Sequence, residues 1–137
     1  MYHADSRRST VWAYDYEVAS GAATNRRVFA VAKEGEGRPD GAAVDAEGCY
    51  WSARYAGGRV VRHAPDGREI FTLPVPVENP TMCAFAGDDP STLVITSARG
   101  SLSDDQLRAQ PHAGSVFAVE VAVPGLPEPH FGGAPRG

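Results

Sequence analysis

Hydrophobic and polar residues alternate along two stretches near the start of the chain. Residues 9–17, S-T-V-W-A-Y-D-Y-E, alternate β-branched and aromatic residues with small or polar ones, and residues 26–32, R-R-V-F-A-V-A, continue the pattern. A period of two residues is typical of a strand with one buried face. We therefore predict two strands that pair as a hairpin around the Gly-containing connection 18–25.

Four short apolar runs follow between residues 38 and 77, separated by turn signals. The turns are D-A-E-G at 45–48, Gly57-Gly58, and P-D-G at 65–67, in which Asp can bond the backbone ahead of it and Gly can adopt a positive φ. The predicted strands are 41–45, 49–55, 59–64 and 68–75, arranged as an antiparallel meander. Pro74 and Pro76 lack the N–H that a central strand needs, so we expect the fourth strand at an exposed edge.

The same pattern then starts again. Residues 79–87, 92–98 and 115–123 correspond to the first three strands, and P-E-P-H-F at 127–131 to a weak fourth. Val11, Val60 and Val116 mark the third-strand centres, with a polar insertion at 100–114 before the last of them. Repeats of four short strands predict an all-β chain, a β-propeller of four-stranded antiparallel blades.

About three blades are predicted, which makes the chain a partial propeller. One blade ends within residues 1–33, a complete blade occupies 38–77, and a last blade occupies 78–132. Propellers close with four to eight blades, and an open stack leaves apolar faces in contact with water. We therefore expect the chain to be part of a larger ring.

Composition and charge exclude several classes of function. The chain has 42% apolar residues, 15 Gly and 11 Pro, and its formal net charge is −4 with scattered basic residues. Nucleic acid is not an expected partner, because phosphate binding needs a concentrated positive surface. No apolar run reaches the length of a membrane span, so a soluble, cytoplasmic protein without a membrane partner is expected. Cys49 and Cys83 are predicted to be free thiols in the core.

Asp40 is the residue with the strongest claim to chemistry. It opens the first, innermost strand of the complete blade, and such positions surround the channel entrance of a propeller. A carboxylate there suits a hard cation and can accept a proton, although the residues by themselves favour a simple turn at Asp40-Gly41, like the one at Asp66-Gly67. Aligning Pro39 with Pro80 places Thr81 at the position of Asp40. Its hydroxyl could bind a sugar, or it could satisfy local backbone.

The remaining candidates are weaker. The four histidines, His3, His63, His112 and His130, lie far apart without metal-ligand spacing. No serine lies in a Gly-x-Ser-x-Gly elbow, which argues against a serine hydrolase. The insertion 100–114 could form a helical turn near the channel mouth with Ser103 as its N-cap, and so shape a lid.

The ordered series of motifs resembles the SMP-30/gluconolactonase/regucalcin family of six-bladed propellers. The resemblance rests on the run from P-D-G at 39–41 to P-D-G at 65–67, followed by P-T-M-C-A-F-A-G and T-L-V-I-T-S-A-R. It covers nearly the whole chain, but only the C-terminal half of the family.

The resemblance implies hydrolysis of a small sugar lactone with one divalent cation, Ca, Zn, Mn or Mg, at the channel mouth. It assigns Asp40 as a metal ligand that also helps in proton transfer. The family's other protein ligands, a Glu and an Asn, precede the matched region and have no counterparts here.

Three hypotheses follow. The chain is the C-terminal half of a lactonase that is inactive alone, a half-propeller that pairs with a second copy of itself, or a non-catalytic binding module. In the first case its partner is the missing N-terminal half of the propeller.

Overall fold

The computed structural model describes residues 1–127, which form three antiparallel sheets. The first sheet contains β1 (Tyr2–Asp5), β2 (Thr10–Glu17) and β3 (Ala22–Val31); the middle sheet contains β4 (Arg38–Val44), β5 (Tyr50–Tyr55), β6 (Arg59–His63) and β7 (Glu69–Pro74); the last sheet contains β8 (Pro80–Ala86), β9 (Thr92–Ser97) and β10 (Val116–Glu120). A 3₁₀ turn at Ser6–Arg8 and the helix α1 at Asp104–Ala109 complete the described elements. The predicted all-β, partial-propeller fold is thus confirmed.

The middle sheet is the predicted four-stranded meander, with the strand order β4-β5-β6-β7. Its last strand lies at the edge and ends at Pro74, as expected for a residue that cannot donate to a neighbouring strand. The first strand begins at Arg38, earlier than the predicted start at residue 41. The sequence pattern missed this beginning because Asp40 and Gly41 occupy an irregular, unpaired stretch within the strand.

The hairpin of the first sheet is tighter than predicted. β3 already begins at Ala22, and the Gly21 N–H donates to the Glu17 carbonyl at 2.8 Å. Residues 22–25 are exposed and carry no apolar pattern, so ladder hydrogen bonds rather than side-chain burial extend this strand. The predicted weak strand at 127–131 lies outside the described residues except for its first position. The blade limits 1–33, 38–77 and 78–132 stay predictions.

The sheets pack face to face, and two core clusters lie between them. Tyr50 packs on the first sheet, with its ring centroid 4.8 Å from that of Tyr2, whereas the adjacent Trp51 packs on the last sheet together with Leu93 and Ile95. Neighbouring strand residues point to opposite faces, so β5 contributes to both clusters. This arrangement is the stacking of propeller blades.

The two cysteines are free and buried, as predicted. Cys83 is completely buried in the cluster between the middle and last sheets. Across residues 1–127, no helix is long and apolar enough to cross a membrane.

Candidate functional site

Asp40 lies in a bulge on β4, at the edge of the middle sheet. Pro39 pairs with Arg54 and Ala42 pairs with Ser52, so two residues on β4 face a single unpaired position on β5. Bulges of this kind bend a strand and redirect a side chain. β4 also contacts β8, the first strand of the last sheet. β4 and β8 are the edge strands that begin their sheets, so Asp40 lies where the middle and last sheets meet.

Gly41 allows the two first strands to come unusually close. A Cβ atom built at Gly41 would lie 2.2 Å from the Sδ of Met82 and 2.8 Å from the carbonyl oxygen of Thr81. Only a residue without a side chain fits this contact. The bulge that carries Asp40 is therefore packed directly against the segment that carries Thr81.

Thr81 occupies the equivalent bulge on β8. Pro80 pairs with Ser97 and Met82 pairs with Thr96, which leaves Thr81 between them. The structure thus supports the alignment of Pro80 with Pro39. The Thr81 hydroxyl lies 2.8 Å from the Thr96 hydroxyl and one of them donates to the other, so its partner is a side chain and not its own backbone. A role in substrate binding stays a prediction.

The surroundings of Asp40 change its acidity. Burial raises the pKa of Asp40, and the positive charge of Arg38 opposes part of that rise. The Arg38 guanidinium is itself held over the ring of Tyr55, 5.3 Å from the ring centroid. A half-buried carboxylate with a raised pKa is suited to accept a proton and can also bind a hard cation.

Asp40 does not belong to a cluster of acidic, His or Cys side chains in the described chain. Among residues 1–127, no three His, Cys, Asp or Glu side chains converge to hold a metal ion. The carboxylate of Asp40 fits one position in the oxygen shell that Ca²⁺ or Mg²⁺ prefers, and both ions need several more oxygen ligands. That the remaining ligands come from the N-terminal part of the propeller stays a prediction.

The insertion after β9 lies at the same end of the sheets as Asp40. Its helix begins after Ser103, which accepts a hydrogen bond from the Gln106 N–H in a complete capping box, so the predicted N-cap is confirmed. Ser101 bonds the hydroxyl of Tyr55 and accepts from the Nδ2 of Asn79 at 3.2 Å. Tyr55 pairs with Arg38 at the start of β4. The insertion is thus fastened beside the strand that carries Asp40.

The weaker candidates make no hydrogen bond to Asp40 or Thr81 among residues 1–127. His63 is buried and bonded to Arg54, whereas His3 and His112 are exposed. His130 lies outside the described residues. Ser97 donates to the Ser115 carbonyl at 2.7 Å.

The sequence pattern missed two buried polar residues that bond groups in other segments of the chain, Asp45 and Asn79. Asp45 was assigned to a turn, but it also accepts from Trp51 Nε1 at 2.8 Å and from Arg62 Nε at 2.7 Å. Burial by itself raises the pKa of Asp45, but the hydrogen bonds from Arg62 and Trp51 outweigh this effect and lower it. Pairing of Trp51 with Arg62 across two strands creates this site. Asn79 is 1% exposed and its side-chain oxygen accepts a hydrogen bond from the Ala56 N–H. Its position before Pro80 was the one sequence signal that set it apart from other turn residues.

Known proteins provide an independent assignment. The family model described as "SMP-30/Gluconolactonase/LRE-like region" matches residues 1–99. The chain is 43% identical over 132 residues to 6-deoxy-6-sulfogluconolactonase of Pseudomonas putida, covering 96% of this chain and 45% of that protein. It is 41% identical over 137 residues to L-arabinolactonase of Azospirillum brasilense, covering 100% of this chain and again 45% of the relative.

A solved structure agrees with these relatives. The calcium-binding protein regucalcin from Agrobacterium tumefaciens superposes with a TM-score of 0.87 at 36% identity, over 93% of this chain and 44% of that one. The chain thus spans less than half the length of the proteins it matches. The family match over residues 1–99 agrees with the three propeller-like sheets and the Pro-Asp-Gly bulge, and the chain belongs to the SMP-30/gluconolactonase/LRE-like family.

Proposed function

We propose that this chain is the C-terminal part of a divalent-metal-dependent lactonase that hydrolyses a small sugar lactone. The observation that carries the proposal is Asp40, a half-buried carboxylate with a raised pKa in a bulge on β4. The family match and the names of the lactonase relatives support the same reaction.

Asp40 has two roles in this proposal. Its carboxylate is one ligand of the cation, Ca²⁺, Zn²⁺, Mn²⁺ or Mg²⁺. A bound divalent cation supplies Lewis acidity toward the lactone carbonyl. Asp40 accepts the proton of the water whose oxygen bonds to the carbonyl carbon. The bond between the acyl carbon and the ring oxygen then breaks, and Asp40 returns its proton to the ring oxygen, which gives an open-chain hydroxy acid.

The substrate class follows from the relatives. Their names specify a sulfogluconolactone and an arabinolactone, which are sugar lactones with different substituents. Thr81 on the adjoining bulge is proposed to bind a sugar hydroxyl, because its own hydroxyl lies on β8, the strand next to β4. Arg38, whose charge acts on Asp40, is available to an anionic substituent.

The proposed enzyme needs a partner to complete the ring. The face of the first sheet that turns away from the middle sheet carries Trp12 and the 56%-exposed Val28, which are paired across β2 and β3. On the last sheet, Val116 is 64% exposed and lies next to Phe117, which packs on the opposite, buried face. Such uncovered blade faces fit further blades. We propose that they receive the N-terminal part of the propeller, with a second copy of this chain as the alternative.

A hydrolysis assay tests the proposed activity. The chain, alone and mixed with the N-terminal half of a relative, is incubated with gluconolactone in the presence of each cation or of a chelator. We expect activity only in the mixture with metal, since Asp40 alone cannot complete the metal site, and a loss of about 10²-fold or more for Asp40→Asn. Asp66→Asn, in the exposed Asp-Gly turn, is the matched control. Equal activity in the Asp40 and Asp66 variants would contradict the assignment.

The mass of the particle in solution tests the partner. Light scattering coupled to size exclusion should give a monomer that becomes a 1:1 complex when the N-terminal half is added. A stable dimer of the chain that hydrolyses lactone with metal would instead favour the self-paired ring. A dimer without activity at any metal concentration would favour a binding module.

A further inference from the structure

Arg54 is a cation buried between the first and middle sheets. It lies on β5 opposite Pro39, is 2% exposed, and shares its strand face with Tyr50 and Ser52. Its Nη2 lies 2.9 Å from the Nε2 of His63. Its Nε and Nη1 have no hydrogen-bond partner among residues 1–127. Buried donors without acceptors are costly, and Arg cannot avoid the cost by losing its proton.

His63 does not balance the charge of Arg54. The Nδ1 of His63 lies 3.0 Å from the Gly67 carbonyl oxygen, which can only accept, so Nδ1 carries the hydrogen. Nε2 is then the acceptor for Arg54 and the ring is neutral. Burial lowers the pKa of His63, and the charge of Arg54 acts in the same direction. The counter-charge must come from another group.

Two carboxylates share a cavity with Arg54. The cavity has a volume of about 200 Å³, and its charged lining consists of Arg54, Lys33, Glu36 and Glu69. One oxygen of Glu36 accepts from the Lys33 N–H at 2.8 Å, and one oxygen of Glu69 accepts from the Thr72 hydroxyl at 2.6 Å. The direct ion pairs of the described chain do not include Arg54. The two carboxylates are therefore close enough to share the cavity but do not bond Arg54 directly.

The shape of the guanidinium group argues for several acceptors. The N–H bonds of Nε and Nη1 point from different edges of the plane, so one acceptor atom cannot serve both. Water occupies about 30 Å³ per molecule in the liquid and bridges buried polar groups wherever two to four partners surround it. The cavity of about 200 Å³ has room for several such molecules beside Glu36 and Glu69, whereas Nε and Nη1 of Arg54 are themselves closed to contact with water. A small anion is disfavoured, because it would share the cavity with Glu36 and Glu69.

We propose that Arg54 is the centre of an ion cluster, in which the carboxylates of Glu36 and Glu69 supply the counter-charge across the cavity that the three side chains line. The cluster connects three segments: β5, the outer strand β7, and the loop 32–37 that leads into β4 and Asp40. It acts as a clamp that holds the loop between the first and middle sheets against β5 and β7. The clamp does not depend on the proposed activity.

A double-mutant cycle on the full chain tests the clamp. The substitutions are Arg54→Met, Glu36→Gln and Glu69→Gln, singly and in Arg–Glu pairs, and the readout is urea unfolding at neutral pH. We expect each Arg–Glu pair to be coupled by about threefold or more in the unfolding equilibrium constant. The control pair is Arg68→Met with Glu36→Gln, since Arg68 is exposed and pairs with Asp66. It should show additive effects. Additive effects in the Arg54 pairs as well would overturn the proposal.

Hydrogen exchange locates the effect and covers the case in which Arg54→Met is too unstable to measure. The two Glu→Gln variants, which alter exposed or half-buried side chains, should accelerate amide exchange in residues 33–40 and at the start of β7, but not in β9 or β10. Uniform acceleration would contradict a local clamp. A further comparison replaces sodium HEPES by sodium chloride at equal ionic strength. If the urea midpoint of the wild type rises in chloride and that of Arg54→Met does not, chloride binds at Arg54, and the proposal of Glu36 and Glu69 as its counter-charge is overturned.

Discussion

Replacing Asp45 by Asn tests whether the buried carboxylate is a structural anchor of the middle blade. Asp45 is 0% exposed, and its oxygens accept from the N–H groups of Glu47 and Cys49 at 3.0 and 2.9 Å, from Trp51 at 2.8 Å and from Arg62 at 2.7 Å. An Asn side chain can keep the two backbone bonds with its oxygen. Its NH₂ group then faces the indole and guanidinium donors and can accept from neither.

The expected loss of stability follows from these contacts. Each buried donor that is left without an acceptor lowers the free energy of unfolding by about 1–3 kcal/mol. Breaking a buried ion pair by changing one partner lowers it by about 3–5 kcal/mol. The side chain of Arg62 is 14% exposed and keeps a second partner in Glu47, which limits the cost. We expect Asp45→Asn to lower the free energy of unfolding by about 3 kcal/mol, a large share of the roughly 5–15 kcal/mol of a typical domain.

Urea unfolding followed by tryptophan fluorescence measures this difference at pH 7. Asp66→Asn is the control, because Asp66 is exposed, accepts the Arg68 N–H at 2.9 Å and forms a loose ion pair at 3.8 Å. Its loss should stay below about 1 kcal/mol. Similar losses for both variants would refute the role of Asp45.

The pH dependence gives a second test. The hydrogen bonds of Asp45 hold its pKa below the ordinary value in the folded state, so its contribution is present above the unfolded pKa and is lost as pH falls through the folded one. The wild-type advantage over Asp45→Asn should therefore shrink in acid. A difference that stays constant would contradict the pKa assignment.

Three further predictions concern the channel end. Gly41→Ala should lower the free energy of unfolding in urea by about 1–3 kcal/mol, because the added Cβ meets backbone atoms of β8. Gly100→Ala is the control and should leave the free energy of unfolding nearly unchanged, since no atom lies within 4 Å of its Cβ. Ser103→Ala removes the N-cap and should lower the stability of α1 by about 1 kcal/mol, which is measured as faster amide exchange in this helix. Ser103→Asp should restore slow exchange, because Asp is also a good N-cap. Calorimetric titration of the complex proposed above with a divalent cation should show that affinity falls at a higher pH than for an ordinary aspartate, because the pKa of Asp40 is raised. Asp40→Asn should flatten this pH dependence.

The strands, the turns and the helix cap were determined by local sequence. A period of two fixes which side chains share a face, and Gly and Asp at turn positions end each run within a few residues. The Ser103 cap depends on Gln106, three residues away, so it was predictable without any tertiary contact. The start of β4 was not, because the bulge at Asp40 breaks the alternation that identifies a strand.

Tertiary structure decided which of these residues act together. Asp45 was predicted as a turn residue, but the pairing of β5 with β6 brings it the donors of Trp51 and Arg62. Arg54 occupies a strand position where its charge predicts exposure, yet packing of the first sheet buries it. These contacts join residues from different strands and sheets. The sequence alone therefore identified Asp40 as a candidate, whereas the packing of β4 against β8 through Gly41 determined what lies beside it.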